Sequence, residues 1–355
     1  MRLLALPGDG IGPEITAATL RVLAAVDHRL SLGLRIEVMD IGLASLTAEG
    51  TTLPDAVIAR IPEVDGVILG PVSHYGYPPR EQGGINPSGE LRTRFALGSN
   101  VRPARGRPGL SAIGERMDLI IVREATEGFY ADRSMHAGPG EFMPDPDSAF
   151  AVRKVTAAAC RRVAETAFAL ARTRRGRVTA VHKANVLKLS DGLFLRVVRE
   201  VAQGWSDVTL DEVIVDAAAA LLVRTPERFD VIVTTNMFGD ILSDEASELA
   251  GGLGLAGSLN IGDAVCVAQA QHGSAPDIAG QDRANPVSLI LSAAMLLDWH
   301  GRRHDDARSC AAAQAIEAAV DRLLLAPSTR TRDLGGTLGT AAFAGRLCDL
   351  IAAGD

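Results

Sequence analysis

The chain carries an apolar run, F-D-V-I-V-T-T at 229–235, that leads directly into N-M-F-G-D-I-L-S-D-E at 236–245. This junction limits the possible folds more than any other segment. A strand that is apolar on both faces must be buried on both, which is the condition of a parallel sheet covered by helices. The G-D-I-L-S-D stretch then opens a helix. Asp240 and Asp244 are four apart, so on a helix they share one face, one above the other. Two carboxylates so placed repel unless a cation lies between them, and hard oxygen donors favour Mg²⁺ or Mn²⁺ over Zn²⁺. Taken alone, the pair is more simply read as acids of a first helical turn complementing the macrodipole. A third acid, Asp216, interrupts the apolar segment 213–223. A carboxylate there is costly unless it is paired, bound to a cation, or set at an N-cap or an edge in water.

The rest of the chain alternates in the same way. Residues 2–6, 34–40, 64–70, 118–124 and 177–183 read as strands. Residues 13–26, 56–61, 156–173 and 306–326 read as helices. Such alternation predicts an α/β protein with sheets covered on both faces. The 71–89 segment, rich in Gly, Pro and Ser, reads as a long functional loop, and 134–147 reads as an arm or lid. With 355 residues, 47% of them hydrophobic, the chain is long enough for two domains and a large core. A net charge of -7 argues against a nucleic-acid partner. Cys160, Cys266, Cys310 and Cys348 are scattered, without a C-x-x-C, which suits a reducing cytoplasm. No apolar run is long enough to predict a membrane span.

A glycine-rich turn, P-G-D-G-I-G-P-E at 7–14, lies between a strand and a helix, and Asp40 ends the following strand. The spacing is G-x-G-x-G and Pro13 follows, so the dinucleotide fingerprint G-x-G-x-x-G is not met. The residues describe a tight turn with Pro at the first helical position. Arg92, Arg102 and Arg123 offer forks for carboxylates. Each alone is a surface or salt-bridge residue; with three aspartates they suit a polyanionic substrate bridged to a metal. Lys183 and Tyr130 are candidates for base and acid.

With these residues in hand, the chain resembles the β-decarboxylating dehydrogenases: isocitrate, homoisocitrate, 3-isopropylmalate, and tartrate or D-malate enzymes. The matching segments are G-D-G-I-G-P-E at 8–14, L-R at 91–92, N-V-R-P at 100–103, V-R-E at 122–124, T-E-G-F-Y at 126–130, H-K-A-N at 182–185, V-D at 215–216, the 236–245 run, H-G-S-A-P-D-I-A-G at 272–280 and N-P at 285–286. Each is modest, but their order and spacing together are specific. The resemblance implies a two-domain fold that is not Rossmann, with a mixed sheet and a central cleft. Residues 1–98 plus 251–355 would form the cofactor-binding domain, and 99–250 a smaller domain with the dimer interface and arm. It implies a homodimer with shared active sites and leaves open the pairing of dimers into a tetramer. Arg92, Arg102 and Arg123 would hold the malate-like carboxylates. Asp240 and Asp244 would bind Mg²⁺ or Mn²⁺, joined by Asp216 of the partner. Lys183 (base) and Asn185 (nicotinamide contact) would also come from the partner, and Tyr130 would protonate the enol. His272, Gly273, Ser274, Ala275 and Asp277 would cradle the adenosine end of the cofactor, with Asn285 at adenine. The Asp277 carboxylate would accept from both ribose hydroxyls and repel a 2′-phosphate, which predicts NAD.

In this family the few residues before the first arginine read the C3 substituent. Here they include Asn86, Ser88 and Gly89, polar or small where isopropylmalate enzymes present leucines. That and the T-E-G and H-K-A-N-V-L-K motifs resemble the NAD-dependent isocitrate/homoisocitrate branch; isopropylmalate and tartrate/malate activities stay open. Two departures stand out. Ala125 replaces the family's Asn, which predicts a looser substrate loop. Gln269 replaces an acid and lies with Gln271 in Q-A-Q-H, which predicts a lost charge near the cofactor without contact to the metal or base. A non-catalytic regulatory subunit is the alternative class, disfavoured because the lysine, tyrosine and metal acids are all present.

Overall fold

The apolar run at 229–235 is buried on both faces, and its side chains divide between two cores. Val231 and Val233 join one core and Ile232 the other, the two-residue period of a strand covered on each side. The computed structural model describes residues 1–110, 114–130 and 135–354. Its strands are β1 (Arg2–Leu6), β2 (Arg35–Val38), β3 (Gly66–Leu69), β4 (Ser99–Arg105), β5 (Asp118–Glu124), β6 (Glu141–Asp145), β7 (Ser148–Ala151), β8 (Arg177–His182), β9 (Thr209–Ile214), β10 (Val231–Thr234), β11 (Leu259–Ile261) and β12 (Cys266–Gln269).

Ten of them form one sheet in the order β2-β1-β3-β12-β11-β4-β5-β10-β8-β9. The two ends are parallel, β2-β1-β3-β12 and β5-β10-β8-β9. Between them, β12-β11-β4-β5 pair antiparallel. The strand order is therefore not that of a Rossmann unit, and strands from 259–269 enter the middle of the sheet. The helices Gly12–Leu30, Ala157–Arg172, Ser190–Ala202, Val287–His304 and Ala307–Leu325 contribute to one core. The helices Val215–Arg224 and Asn236–Ala250 cover β5, β8 and β10 on the opposite face. No helix among the described residues is long and apolar enough to cross a membrane.

Two expectations are corrected, for the 71–89 loop and for the first-turn acids, and the alternatives for Asp216 narrow to one. The predicted 71–89 loop contains two short 3-10 turns and ends inside a helix, Pro87–Arg94. Asn86 caps it by accepting from Gly89 N at 3.2 Å, with Pro87 in the first turn. Asp216 bears no burial cost: it lies in the first turn of Val215–Arg224, with its side chain 69% exposed. The helix carrying Asp240 starts at Asn236, so its first turn holds no acid. The macrodipole falls off within the first turn and does not explain Asp240 and Asp244. Of the predicted arm, residues 135–147 are described: β6 pairs with β7 as a separate hairpin, with Phe142 and Phe150 stacked and exposed. Ser134 lies outside the described residues.

Candidate active site

Three elements aim the arginines at one place. Arg102 leaves β4, Arg123 leaves the end of β5, and both meet the helix Asn236–Ala250. Arg102 Nη1 stands 3.2 Å from both Asp240 Oδ1 and Asp244 Oδ1, so the two carboxylates face a common point. Arg123 Nη1 also pairs with Asp240. Amides orient the forks. Asn100 Oδ1 accepts from Arg102 Nε at 2.6 Å; Asn236 Oδ1 accepts from Arg123 Nε at 3.0 Å and Nη2 at 2.6 Å. Ser243 Oγ lies 2.7 Å from Arg102 Nη1. Burial, then the charge of Arg123, pull the Arg102 guanidinium down to about 10, against the opposing pull of Asp240 and Asp244. The arginines are buried while Asp240 and Asp244 are 36% and 51% exposed, so the acids form the open side of the cluster.

Arg92 belongs to a polar chain beside this cluster. Its Nε donates to Asn260 Oδ1 at 3.1 Å, Asn260 Nδ2 donates to Gln269 Oε1 at 3.4 Å, and Ser88 Oγ donates to the same oxygen at 3.1 Å. Ser88 and Arg92 thus lie on one wall. The Asn86 carbonyl oxygen is spent on its cap.

Lys183 and Asp216 form a separate pair at the carboxyl ends of neighbouring strands β8 and β9. Lys183 Nζ lies 2.5 Å from Asp216 Oδ1, and this hydrogen bond is the main reason the Asp216 carboxyl sits below its ordinary range. The Lys183 backbone is anchored by the buried Asp191, whose Oδ2 accepts from Lys183 N at 2.5 Å. Asn185 is exposed. Within one chain, no group of three or more His, Cys, Asp or Glu among the described residues could hold a metal; Asp216 does not join Asp240 and Asp244.

Tyr130 lies beside the arginines, its ring centroid 6.0 Å from Arg123 Cζ. The stretch leading to it, which includes Ala125, is held by carboxylate hydrogen bonds. Glu124 accepts from Thr126 N at 2.7 Å and Glu127 N at 2.9 Å, and Glu127 accepts from Thr156 N at 2.8 Å. Burial pushes the Glu124 carboxyl up, against the pull of these hydrogen bonds.

The 272–280 loop is braced by the glycine turn. Ile11 N donates to Ser274 O at 2.8 Å, and a Cβ on Gly10 (φ +58°) would come within 2.0 Å of that oxygen. Asp9, next to it, is buried and accepts from Leu43 N, Ser73 N and the Tyr77 hydroxyl. The turn thus joins the 272–280 loop to the segments carrying Leu43, Ser73 and Tyr77. Ser274 Oγ lies 2.7 Å from Ser73 Oγ. Ala275 is left-handed (φ 36°), and Gly273 and Asp277 are exposed. His272 Nδ1 lies 2.9 Å from Gly273 O, while its buried Nε2 has no partner among the described residues; burial lowers its basicity. Asn285 bonds Asp333 Oδ2 at 2.9 Å and accepts from Val287 N at 3.0 Å.

The expectation for Gln271 is also corrected. Its Nε2 donates to Asp244 Oδ1 at 2.8 Å, so this departure touches a predicted metal ligand. The orienting roles of Asn100, Asn236, Asn260 and Asp191 were not apparent from sequence. Asn100 and Asn236 lie inside the quoted motifs, yet nothing in the letters says which arginine they hold.

Residues 2–347 match the family model described as isocitrate/isopropylmalate dehydrogenase. A 3-isopropylmalate dehydrogenase of Saccharolobus solfataricus is 37% identical, covering 95% of each chain. An isocitrate/homoisocitrate dehydrogenase of Thermus thermophilus is 42% identical, covering 96% of each chain. Among solved structures, isocitrate dehydrogenase from Methylococcus capsulatus matches with a TM-score of 0.86 at 37% identity, over 99% of both chains. This chain, with its mixed central sheet and its clustered arginines and aspartates, belongs to the isocitrate/isopropylmalate dehydrogenase family of decarboxylating hydroxy-acid oxidoreductases.

Proposed function

We propose that the chain catalyses the NAD-dependent, Mg²⁺- or Mn²⁺-dependent oxidative β-decarboxylation of isocitrate or homoisocitrate. The polar chain Ser88–Gln269–Asn260–Arg92 carries the choice of substrate. Hydrogen-bonding groups on that wall reward a carboxylate on the C3 substituent and gain nothing from an isopropyl group.

The residues fit both absent groups. Asp240 and Asp244 supply hard oxygens that converge on one point, with Asp216 of a second copy completing the set. The 272–280 loop offers exposed Gly273 and Asp277 beside the orphaned His272 Nε2. When bound, the ion supplies Lewis-acid stabilisation of negative charge on the C2 oxygen, and NAD accepts the C2 hydride. Arg92, Arg102 and Arg123 bind the substrate carboxylates. For Arg102 and Arg123 this is an exchange: the substrate replaces Asp240 and Asp244 as counter-ion and frees the aspartates. Lys183 of the second copy takes the proton of the C2 hydroxyl. The C3–carboxylate bond then breaks, CO₂ leaves, and Tyr130 returns a proton to C3.

Sharing between two copies has physical support. Lys183 and Asp216 sit together, away from Asp240. Val186, Leu189, Val223 and Ile241 are exposed apolar residues of the 99–250 segment, as are Phe142, Met143 and Phe150 of the hairpin. Such groups suit a self-association face, in keeping with a small domain over 99–250 and a large one over 1–98 plus 251–355.

The test is NADH formation across isocitrate, homoisocitrate, 3-isopropylmalate, D-malate and tartrate. A tricarboxylate is expected to give the highest kcat/KM; a win for 3-isopropylmalate would overturn the reading. Ser88→Leu is expected to cut kcat/KM for the tricarboxylate by about 100-fold and to narrow its lead over 3-isopropylmalate. In a separate comparison at fixed substrate, NAD is expected to outperform NADP because the Asp277 carboxylate repels a 2′-phosphate. A preference for NADP would remove Asp277 from the ribose.

A further inference from the structure

Gln271 stands between the cofactor loop and the metal helix. It immediately precedes His272, and its backbone N donates to Ser288 Oγ at 3.2 Å. Its carboxamide crosses to the helix Asn236–Ala250, where Nε2 donates to Asp244 Oδ1 at 2.8 Å and to Ser247 Oγ at 3.1 Å. Its Oε1 is buried without a partner among the described residues. One side chain therefore joins the loop assigned to NAD to one of the carboxylates assigned to the ion.

We infer that Gln271 is a positioning residue that couples NAD binding to divalent-cation binding, an inference that rests on the reading of Asp244 and the 272–280 loop given above. Asp244 is half exposed, and without an ion its Oδ1 is shared by Arg102 and Gln271. The two donors differ in charge. The Arg102 guanidinium opposes an arriving cation and has to give way. The Gln271 amide is neutral, so it can stay on Oδ1 while the remaining lone pairs of the carboxylate face the ion. It thereby holds the carboxylate in one rotation, and ligands held by such outer hydrogen bonds typically bind metal 10- to 100-fold more tightly. Met in its place would fill a similar volume without donating.

The coupling follows from where Gln271 is attached. NAD that orders the 272–280 loop fixes the neighbouring carboxamide, and the carboxamide fixes Asp244. By thermodynamic reciprocity, the cation must tighten NAD by the same factor.

The experiment uses the whole protein without substrate. Mn²⁺ dissociation constants are measured by electron paramagnetic resonance with and without saturating NAD, for wild type and Gln271→Met. Wild type is expected to bind Mn²⁺ at least about 5-fold more tightly with NAD present. Gln271→Met is expected to bind Mn²⁺ about 10-fold more weakly, with a constant that no longer responds to NAD. Its NAD affinity in the absence of metal, read by calorimetry, should be unchanged. Gln271→Val serves the same purpose if Gln271→Met fails to fold. The inference is overturned if NAD leaves wild-type Mn²⁺ affinity unchanged, or if the variant keeps the wild-type response. A wild-type protein that binds neither ligand would instead overturn the active-site reading, and the inference with it.

Discussion

Lys183→Ala is expected to lower kcat by about 10³-fold while leaving the thermal midpoint and the NAD dissociation constant near wild-type values. A positioned general base contributes roughly 10²- to 10⁴-fold to rate. The structural cost of the substitution is small for a definite reason. The only ion pair within 4 Å that Lys183 makes among the described residues is with Asp216, whose side chain is 69% exposed. Exposed pairs contribute roughly 0–1 kcal/mol. Losing the ammonium lets the Asp216 carboxyl rise towards its ordinary range, because the Lys183 hydrogen bond is the main reason it sits below it. The carboxyl remains ionised near neutral pH, so the cation site keeps its charge. Initial rates of NADH formation, calorimetric NAD binding and a thermal melt separate the outcomes. Unchanged turnover would remove Lys183 as base. A protein with no turnover in either form would revive the non-catalytic subunit reading. If two copies share a site, mixing Lys183→Ala with a variant lacking Asp240 should restore part of the activity, because one of the two sites in the mixed dimer then keeps both residues.

Much of this site was legible in the chain because it rests on short local patterns. Strands β1 and β5 coincide with the apolar runs 2–6 and 118–124, since a strand buried on both faces carries its signal in every residue. The spacing of Asp240 and Asp244 placed them on one helical face, and the helix Asn236–Ala250 does so. What was not legible depends on chain path. That β12 pairs with β3, joining Val267 to Val67, follows from no local pattern. The end of the 71–89 loop, at 87–89, was misread because Asn, Pro, Ser and Gly suit a loop and a helix start equally; only the continuation to Arg94 distinguishes them. The amides that aim the arginines are invisible for a related reason. Asn100, Asn236 and Asn260 are polar residues in buried strands or a helix, and sequence says that they need partners without naming them. Gln271 shows the limit most clearly: its departure was expected to leave the metal ligands untouched, and the fold turns it toward Asp244.

The second large effect is structural and lies beneath Lys183. Asp191→Ala is expected to destabilise the protein by about 3–5 kcal/mol, the cost of leaving one member of a buried ion pair alone. Asp191 is fully buried, and its carboxylate accepts from Arg153 Nη1 at 2.5 Å and from Lys183 N at 2.5 Å. Arg153 is also nearly buried and is held by Ser190 Oγ at 2.9 Å and Thr235 Oγ1 at 3.0 Å, so it cannot simply swing into water. Removing the carboxylate strands a guanidinium and an N–H at once. Asp191→Asn keeps one acceptor, for the Lys183 N–H, but sets its NH₂ donor against Arg153 Nη1, so it should recover only part of the loss. Removing both charges, as Asp191→Leu with Arg153→Met, should recover much of the loss, because apolar pairs of similar volume replace buried ion pairs at little net cost. Denaturant midpoints of the single and double variants measure this directly as a coupling energy. Turnover should not recover in step. The double variant leaves the Lys183 N–H unpaired at the end of β8, so the lysine loses its backbone anchor even where stability returns. Stability restored together with full turnover would show that Asp191 supports the fold without positioning Lys183.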